Sequence, residues 1–212
     1  STEDQLIRSK AVERMEYWKN YREPMPAVTI QEEPSYGGTS ITKLRSSYKT
    51  LSLSQVQSMS NVYISKKTDR GFNGHSTISH NYEKRSINGD GVVIDHATGL
   101  MWHQNGFDDG VKWNEAKEWV RSLNGRGYAG YQDWRLPTLE EAASLLESNK
   151  RNDLYIDPIF SKRQGGIWTG DSKDAISKNK IYAAWRVLFL DGFVHWIHIN
   201  SNSCVRPVRS VE

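Results

Sequence analysis

An α+β domain with a largely antiparallel sheet is the fold class that this sequence predicts, and three observations predict it. Two amphipathic helical segments, near 112–123 and 138–148, lie between runs of β-type residues. The C-terminal stretch "AAWRVLFLDGFVHWIHI" alternates on both sides of Asp191-Gly192, which is the pattern of a β-hairpin closed by a two-residue turn. All but one of the 8 Trp lie after residue 100, so a compact aromatic domain sits behind a more polar N-terminal region. Helices placed between β segments, with hairpins at the end, make the α+β arrangement.

From the N-terminus, residues 3–22 read as an amphipathic helix with Ile7, Ala11, Met15 and Trp18 on one side and Pro24 as its stop. Such a helix either docks on its own domain or joins a partner. Pro24, Pro26, Pro34 and Gly37-Gly38 then mark an extended linker, so 1–43 forms an N-terminal arm. In the lead-in 44–85, Ser52 and Gln55 have capping-box spacing ahead of a short helix faced by Leu51, Val56 and Met59. Residues 66–90 are polar and glycine-dotted, anchored only by Phe72, Ile78 and Tyr82, and read as a long surface loop. The main domain is expected over 86–212.

There the pattern sharpens. Val92-Val93-Ile94 is a strand, His96-Ala97-Thr98-Gly99 a turn, and Leu100-Met101-Trp102 the returning strand. The first helix of the domain places Trp113, Ala116, Trp119 or Val120, and Leu123 on one side. It starts at Lys112, a poor N-cap, and ends at Asn124-Gly125. The second has Thr138 and Glu141 as a capping box, followed by an apolar face of Leu139, Ala142, Ala143, Leu145 and Leu146.

Composition bounds the function. The net charge of +3 does not argue for nucleic acid, and the basic excess is confined to residues 1–87, with 13 Lys and Arg against 9 Asp and Glu. The single cysteine, Cys204, excludes an intrachain disulfide and a cysteine-based metal cluster. No apolar run has the length of a membrane helix. The chain starts at Ser1, so removal of a leader or anchor stays open.

Seven segments in order, "VVIDHATGLMW", "WNEAKEWVRSLN", "GYAGYQDWRLPTLEEAASLLE", "IDPIF", "IWT", "AWRVLFLDGF" and "VRPVR", resemble the bacterial Lcl C-terminal domain family over about 88–210. The segment "LRSSYKTLSLSQV" is similar to a lead-in found ahead of this domain. The resemblance implies a C-type-lectin-like domain, related to the formylglycine-generating enzyme fold, with two helices packed on a small twisted sheet. It also implies a ligand-binding or adhesive module of an exported bacterial protein, hence a periplasmic or cell-surface location. In that fold Asp133-Trp134-Arg135-Leu136-Pro137 forms a joint between strand and second helix: Trp134 is buried, and Arg135 and Asp133 are fixed by hydrogen bonds. Trp102, Trp113, Pro137, Trp185 and Arg206 complete the residues expected to be structural.

Chemistry is poorly signalled. The related oxidases need paired cysteines, and only Cys204 is present. His195 and His198 fall on opposite faces of a strand, which disfavours a shared metal. No Gly-x-Ser-x-Gly elbow occurs; the resemblance leaves calcium open, since many C-type lectins use it, but their Glu-Pro-Asn or Gln-Pro-Asp triplets are missing. No cofactor is expected, and the chain reads as a non-enzyme.

Binding is better signalled. If Trp185, Val187 and Phe189 face the core, then Arg186, Leu188 and Leu190 face outward. His195, Trp196, His198, Asn200 and Asn202 add stacking surface and hydrogen-bonding groups suited to a sugar or a protein epitope, with Trp168 and the loop 170–180 nearby. The bland alternative, that Trp196 and Ile197 finish the core and the asparagines solvate a loop, stands beside it. The expectation is therefore a glycan- or protein-recognition domain. Its alternative is an accessory subunit docked to a larger assembly or a membrane-associated partner through the N-terminal arm.

Overall fold

The computed structural model describes residues 41–174 and 181–211. The expected helix at 3–22, the linker at 24–40 and most of the loop 170–180 lie outside the described residues. Within them the chain is mixed α+β, mostly sheet with three helices.

The lead-in supplies β1 (Thr50–Leu51), α1 (Leu53–Val56), β2 (Val62–Thr68) and β3 (Gly71–Ser76). Next come β4 (Tyr82–Ile87), β5 (Asp90–Asp95), β6 (Leu100–His103), β7 (Phe107–Val111), α2 (Trp113–Arg126) and α3 (Leu139–Ser144). The C-terminal part is β8 (Gly166–Lys173), β9 (Ala183–Leu188), β10 (Phe193–His198), β11 (Ser203–Val205) and β12 (Val208–Ser210). An eight-stranded sheet runs β2-β3-β10-β9-β8-β11-β7, with β1 added beside β8, and a four-stranded sheet runs β12-β6-β5-β4. Pairing is antiparallel except where β8 meets β1 and β11. The main sheet is thus larger than the small sheet expected.

The region read as a loop, 66–90, is the main departure: it carries the end of β2, all of β3 and β4, and the start of β5. Its glycines mislead. A Cβ on Gly71 would lie 1.8 Å from the Val194 carbonyl oxygen, and one on Gly74 would lie 2.2 Å from that of Tyr63. These glycines admit a neighbouring strand; they do not mark a turn. Likewise the lead-in is not a separate segment, since β1, β2 and β3 are all strands of the main sheet. Arg45 fixes it further, with Nη1 and Nη2 donating to Asp171 at 3.0 and 2.7 Å and Nε to Glu140 at 3.2 Å. Buried Asp171 also accepts from the backbone N–H of Lys49 and of Leu139, both at 2.6 Å, and so ties the lead-in to the start of α3.

Three boundaries shift, each for a visible reason. Helix α2 passes through Asn124-Gly125 and ends at Gly127, which takes the left-handed conformation at φ 65°. The Asn124 amide instead brackets the Trp134 peptide, accepting its N–H at 2.9 Å and donating to its carbonyl at 2.8 Å. Lys112 gives α2 no side-chain cap, but its N–H donates to Glu115 at 3.0 Å. Helix α3 stops at Ser144, where the backbone turns to remote partners: the Ser144 carbonyl lies 2.7 Å from His80 Nε2, and just past the helix the Leu146 carbonyl accepts from the Ser76 N–H at 2.8 Å. The terminal hairpin forms, but its last pair is Leu188 with Phe193, so the loop has four residues and not two. Phe189 is drawn into the core, and its N–H donates to the Gly165 carbonyl at 2.8 Å.

The core forms two clusters. One gathers Phe72, Trp185, Val187 and Val194 with the apolar side of α3; the other gathers Trp168, Ala184 and Val205 with Trp113, Ala116, Val120 and Leu123 of α2. Because adjacent strand residues point to opposite faces, Trp185 and Val187 define one face of the main sheet and Ala184 the other. Trp102, Trp113, Trp134, Pro137, Trp185 and Arg206 are all buried.

Candidate functional site

The 133–137 stretch is tied down by burial and hydrogen bonds on both sides. Trp134 is buried and its indole N–H donates to the Tyr128 carbonyl at 3.0 Å. Arg135 exchanges backbone hydrogen bonds with Val208 and pairs with Glu141, while Asp133 accepts from Arg209 Nε at 2.8 Å. Buried Arg206 acts similarly. It donates to the carbonyls of His103 at 3.1 Å and of Gln104, and its guanidinium lies 4.7 Å from the Phe160 ring centre. No carboxylate meets it among the described residues, and burial lowers its pKa to about 9.

The candidate binding surface follows from sheet register. Lys66, Asn73, Phe193, Leu188 and Gly166 pair in one row across β2, β3, β10, β9 and β8. Thr68, Gly71, His195, Arg186 and Trp168 pair in the adjoining row on the same face. At the β8 end the second row enters the core, where Trp168 is fully buried and its indole N–H donates to the Val111 carbonyl at 2.7 Å. Elsewhere Lys66 is exposed, and Asn73, Phe193, Leu188 and Arg186 are half-buried. Phe193 and Leu188 join neither core cluster. The Phe193 ring stacks on the His195 imidazole with centres 4.7 Å apart.

Arg186 Nε donates to His195 Nε2 at 2.8 Å, and Nη1 donates to the Asn202 carbonyl at 3.3 Å. That bond requires His195 Nε2 to be unprotonated. Burial, assisted by Arg186 and Arg70, depresses the imidazole pKa to about 4, so it is neutral near pH 7. Burial also lowers the Arg186 pKa.

Of the nine residues expected to bind a ligand, Arg186, Leu188 and His195 share this face. Asn202 reaches it through its carbonyl, and exposed Leu190 lies in the hairpin loop beside Gly165. Trp196 and His198 do not join them, since alternation along β10 turns both to the opposite side. There Trp196 is half-buried against the first core cluster, and exposed His198 accepts from the Asn200 N–H at 3.1 Å. Asn200 is exposed in the turn before β11. Trp168 has no surface to offer a ligand, which overturns its place in the expected site. Sequence reading missed Phe193, Asn73 and Lys66. Alternation in "GFVHWIHI" puts Phe193 with His195, but Asn73 and Lys66 sit in strands whose glycines and lysines hid them.

Among the described residues no group of three or more His, Cys, Asp or Glu side chains is placed to hold a metal ion. A cavity of about 100 Å³, bordered by Arg151, Asp157, Phe160 and Lys162, falls below the few hundred Å³ of ordinary ligand pockets. What the fold offers is a sheet face.

Fold and surface together define an α+β domain that presents a β-sheet face. The chain matches the model of the Lcl C-terminal domain family over residues 91–209, more than half its length, and belongs to that family. The match begins within β5, so the β2–β3 hairpin, which supplies Lys66 and Asn73, lies outside it. No curated protein matches the chain.

Proposed function

We propose that this chain is a non-enzymatic recognition domain that binds a glycan or a protein through the face shared by β3, β10 and β9. The observation that carries this is the row Lys66, Asn73, Phe193 and Leu188. It sets an aromatic and an aliphatic side chain, outside both core clusters, beside amide and cationic groups. Such a mixture suits an interface better than a solvated sheet surface does. We also infer a C-type-lectin-like architecture. Support comes from family membership and from two helices packed on a largely antiparallel sheet.

The test is a screen of the full chain against immobilised glycans and proteins. Saturable binding to one class is expected. Binding to neither class contradicts the proposal.

A further inference from the structure

We infer that the ligand of this face is a protein, and that Arg186 receives a side-chain carboxylate, from Asp or Glu, of that partner. The inference rests on the recognition reading above and names what the face takes.

Neither row across the sheet carries a carboxylate: one is Lys66, Asn73, Phe193, Leu188 and Gly166, the other Thr68, Gly71, His195, Arg186 and Trp168. Three other arginines held in the fold meet carboxylates, and the fully buried Arg206 meets carbonyls while its Nε has no hydrogen-bond partner among the described residues. Arg45 has Asp171 and Glu140, Arg135 has Glu141, Arg209 has Asp133, and buried Arg206 donates through Nη1 to the His103 and Gln104 carbonyls. Arg186 is half-buried, yet its hydrogen bonds reach only a neutral imidazole and one carbonyl, with the Cys204 thiol nearby and no carboxylate paired with it among the described residues. The rest of its N–H fork has no partner among the described residues. A partly desolvated guanidinium without a counter-charge is costly, and a carboxylate is the group its planar fork fits.

The setting of Arg186 is fixed. His195 Nε2 accepts from Nε and the Asn202 carbonyl accepts from Nη1, so two sides of the guanidinium are held. Phe193 stacks on that same imidazole. The fork is therefore oriented before a ligand arrives, which lowers the entropy lost on binding.

The neighbours favour a protein over a sugar. Leu188, cross-strand partner of Phe193, is half-buried, and Leu190 is 49% exposed. Branched aliphatic chains pack against side chains but offer no flat surface to a sugar ring. One face of Phe193 is already occupied by His195. A central arginine amid leucine and phenylalanine on an open sheet has the composition of a protein interface. Lys66, in the adjoining row, adds a second positive charge toward an acidic partner.

The experiment compares two random peptide libraries, one with Glu fixed at its centre and one with Gln there, on the immobilised full chain. Retention of the Glu library about tenfold above the Gln library is expected, with the ratio near one for Arg186→Gln. Arg186→Lys keeps the charge but loses the fork, and should retain peptide with a reduced ratio. It serves as the second variant should Arg186→Gln not fold, as read from thermal melting. Equal retention of both libraries overturns the carboxylate assignment but leaves the recognition face standing. Retention of neither, while an immobilised glycan is bound, overturns the protein partner only. A Glu preference that survives both variants overturns the assignment to Arg186. Binding to no peptide and no glycan overturns this inference and the recognition reading together.

Discussion

Arg135 and Glu141 form a two-pronged ion pair, with Nη1 2.7 Å from Oε2 and Nη2 2.6 Å from Oε1, and the Glu141 side chain fully buried. The same carboxylate accepts the Thr138 N–H at 2.7 Å, while Thr138 Oγ1 accepts the Glu141 N–H at 3.3 Å. One side chain therefore caps α3 and pins the joint that precedes it. Glu141→Gln leaves Arg135 facing a neutral amide and should cost about 3 kcal/mol, as loss of one partner of a buried pair does. Urea denaturation measures it.

Asp171 links the lead-in to the domain, so removal of the lead-in should be felt far away. A chain beginning at residue 57 lacks Arg45, β1 and α1, and leaves the buried Asp171 carboxylate without Arg45 or the Lys49 N–H. It should melt well below a chain beginning at residue 41. Equal melting temperatures would show that the lead-in contributes little.

Two buried histidines should make the fold less stable in acid. Burial, with Arg206 and Arg126 nearby, lowers the His103 pKa to about 3, and burial with Arg186 and Arg70 lowers that of His195 to about 4. Both take up protons in the unfolded chain near pH 6.5, before they do so in the folded one. Their contribution is thus complete above about pH 6.5 and declines as pH falls toward 4, by about 1.4 kcal/mol per pH unit for each imidazole. Urea unfolding of the wild type and of His103→Gln, from pH 7 to pH 4.5, should show a shallower decline in the variant.

Glycines separate sharply by position. Gly125 lies inside α2 with open space around its missing Cβ, so Gly125→Ala should stabilise by about 0.8 kcal/mol. A Cβ at Gly71 would meet the Val194 carbonyl oxygen at 1.8 Å, so Gly71→Ala should force β3 off β10 and sharply lower the melting temperature. Thermal melting of both variants distinguishes the two effects.

These contrasts show what the sequence made legible. The β5–β6 hairpin was readable because three β-branched residues, a glycine turn and a returning apolar run occur in order, and Gly99 indeed takes φ 67°. Thr138 and Ser52 were readable as caps because the box is local. Strands β2, β3 and β4 were hidden because their support comes from remote partners: Phe72 is the one fully buried side chain among them, and the Gly71 requirement is imposed by Val194, far along the chain. The binding face was half legible. Alternation separated Trp185, Val187 and Phe189 from Arg186, Leu188 and Leu190, yet Trp196 and His198 were grouped with His195 across a parity boundary. Trp168 was misplaced because only the packing of α2 on β8 and β11 shows that its end of the row is covered.

We place recognition on the β3–β10–β9 face. The most direct test measures the affinity of the first ligand found by screening for three proteins: the wild type, Leu188→Glu on that face, and His198→Ala on the other side of β10. Binding weakened at least about tenfold by Leu188→Glu and unchanged by His198→Ala is the predicted result. Full affinity in Leu188→Glu, or loss confined to His198→Ala, would contradict the account.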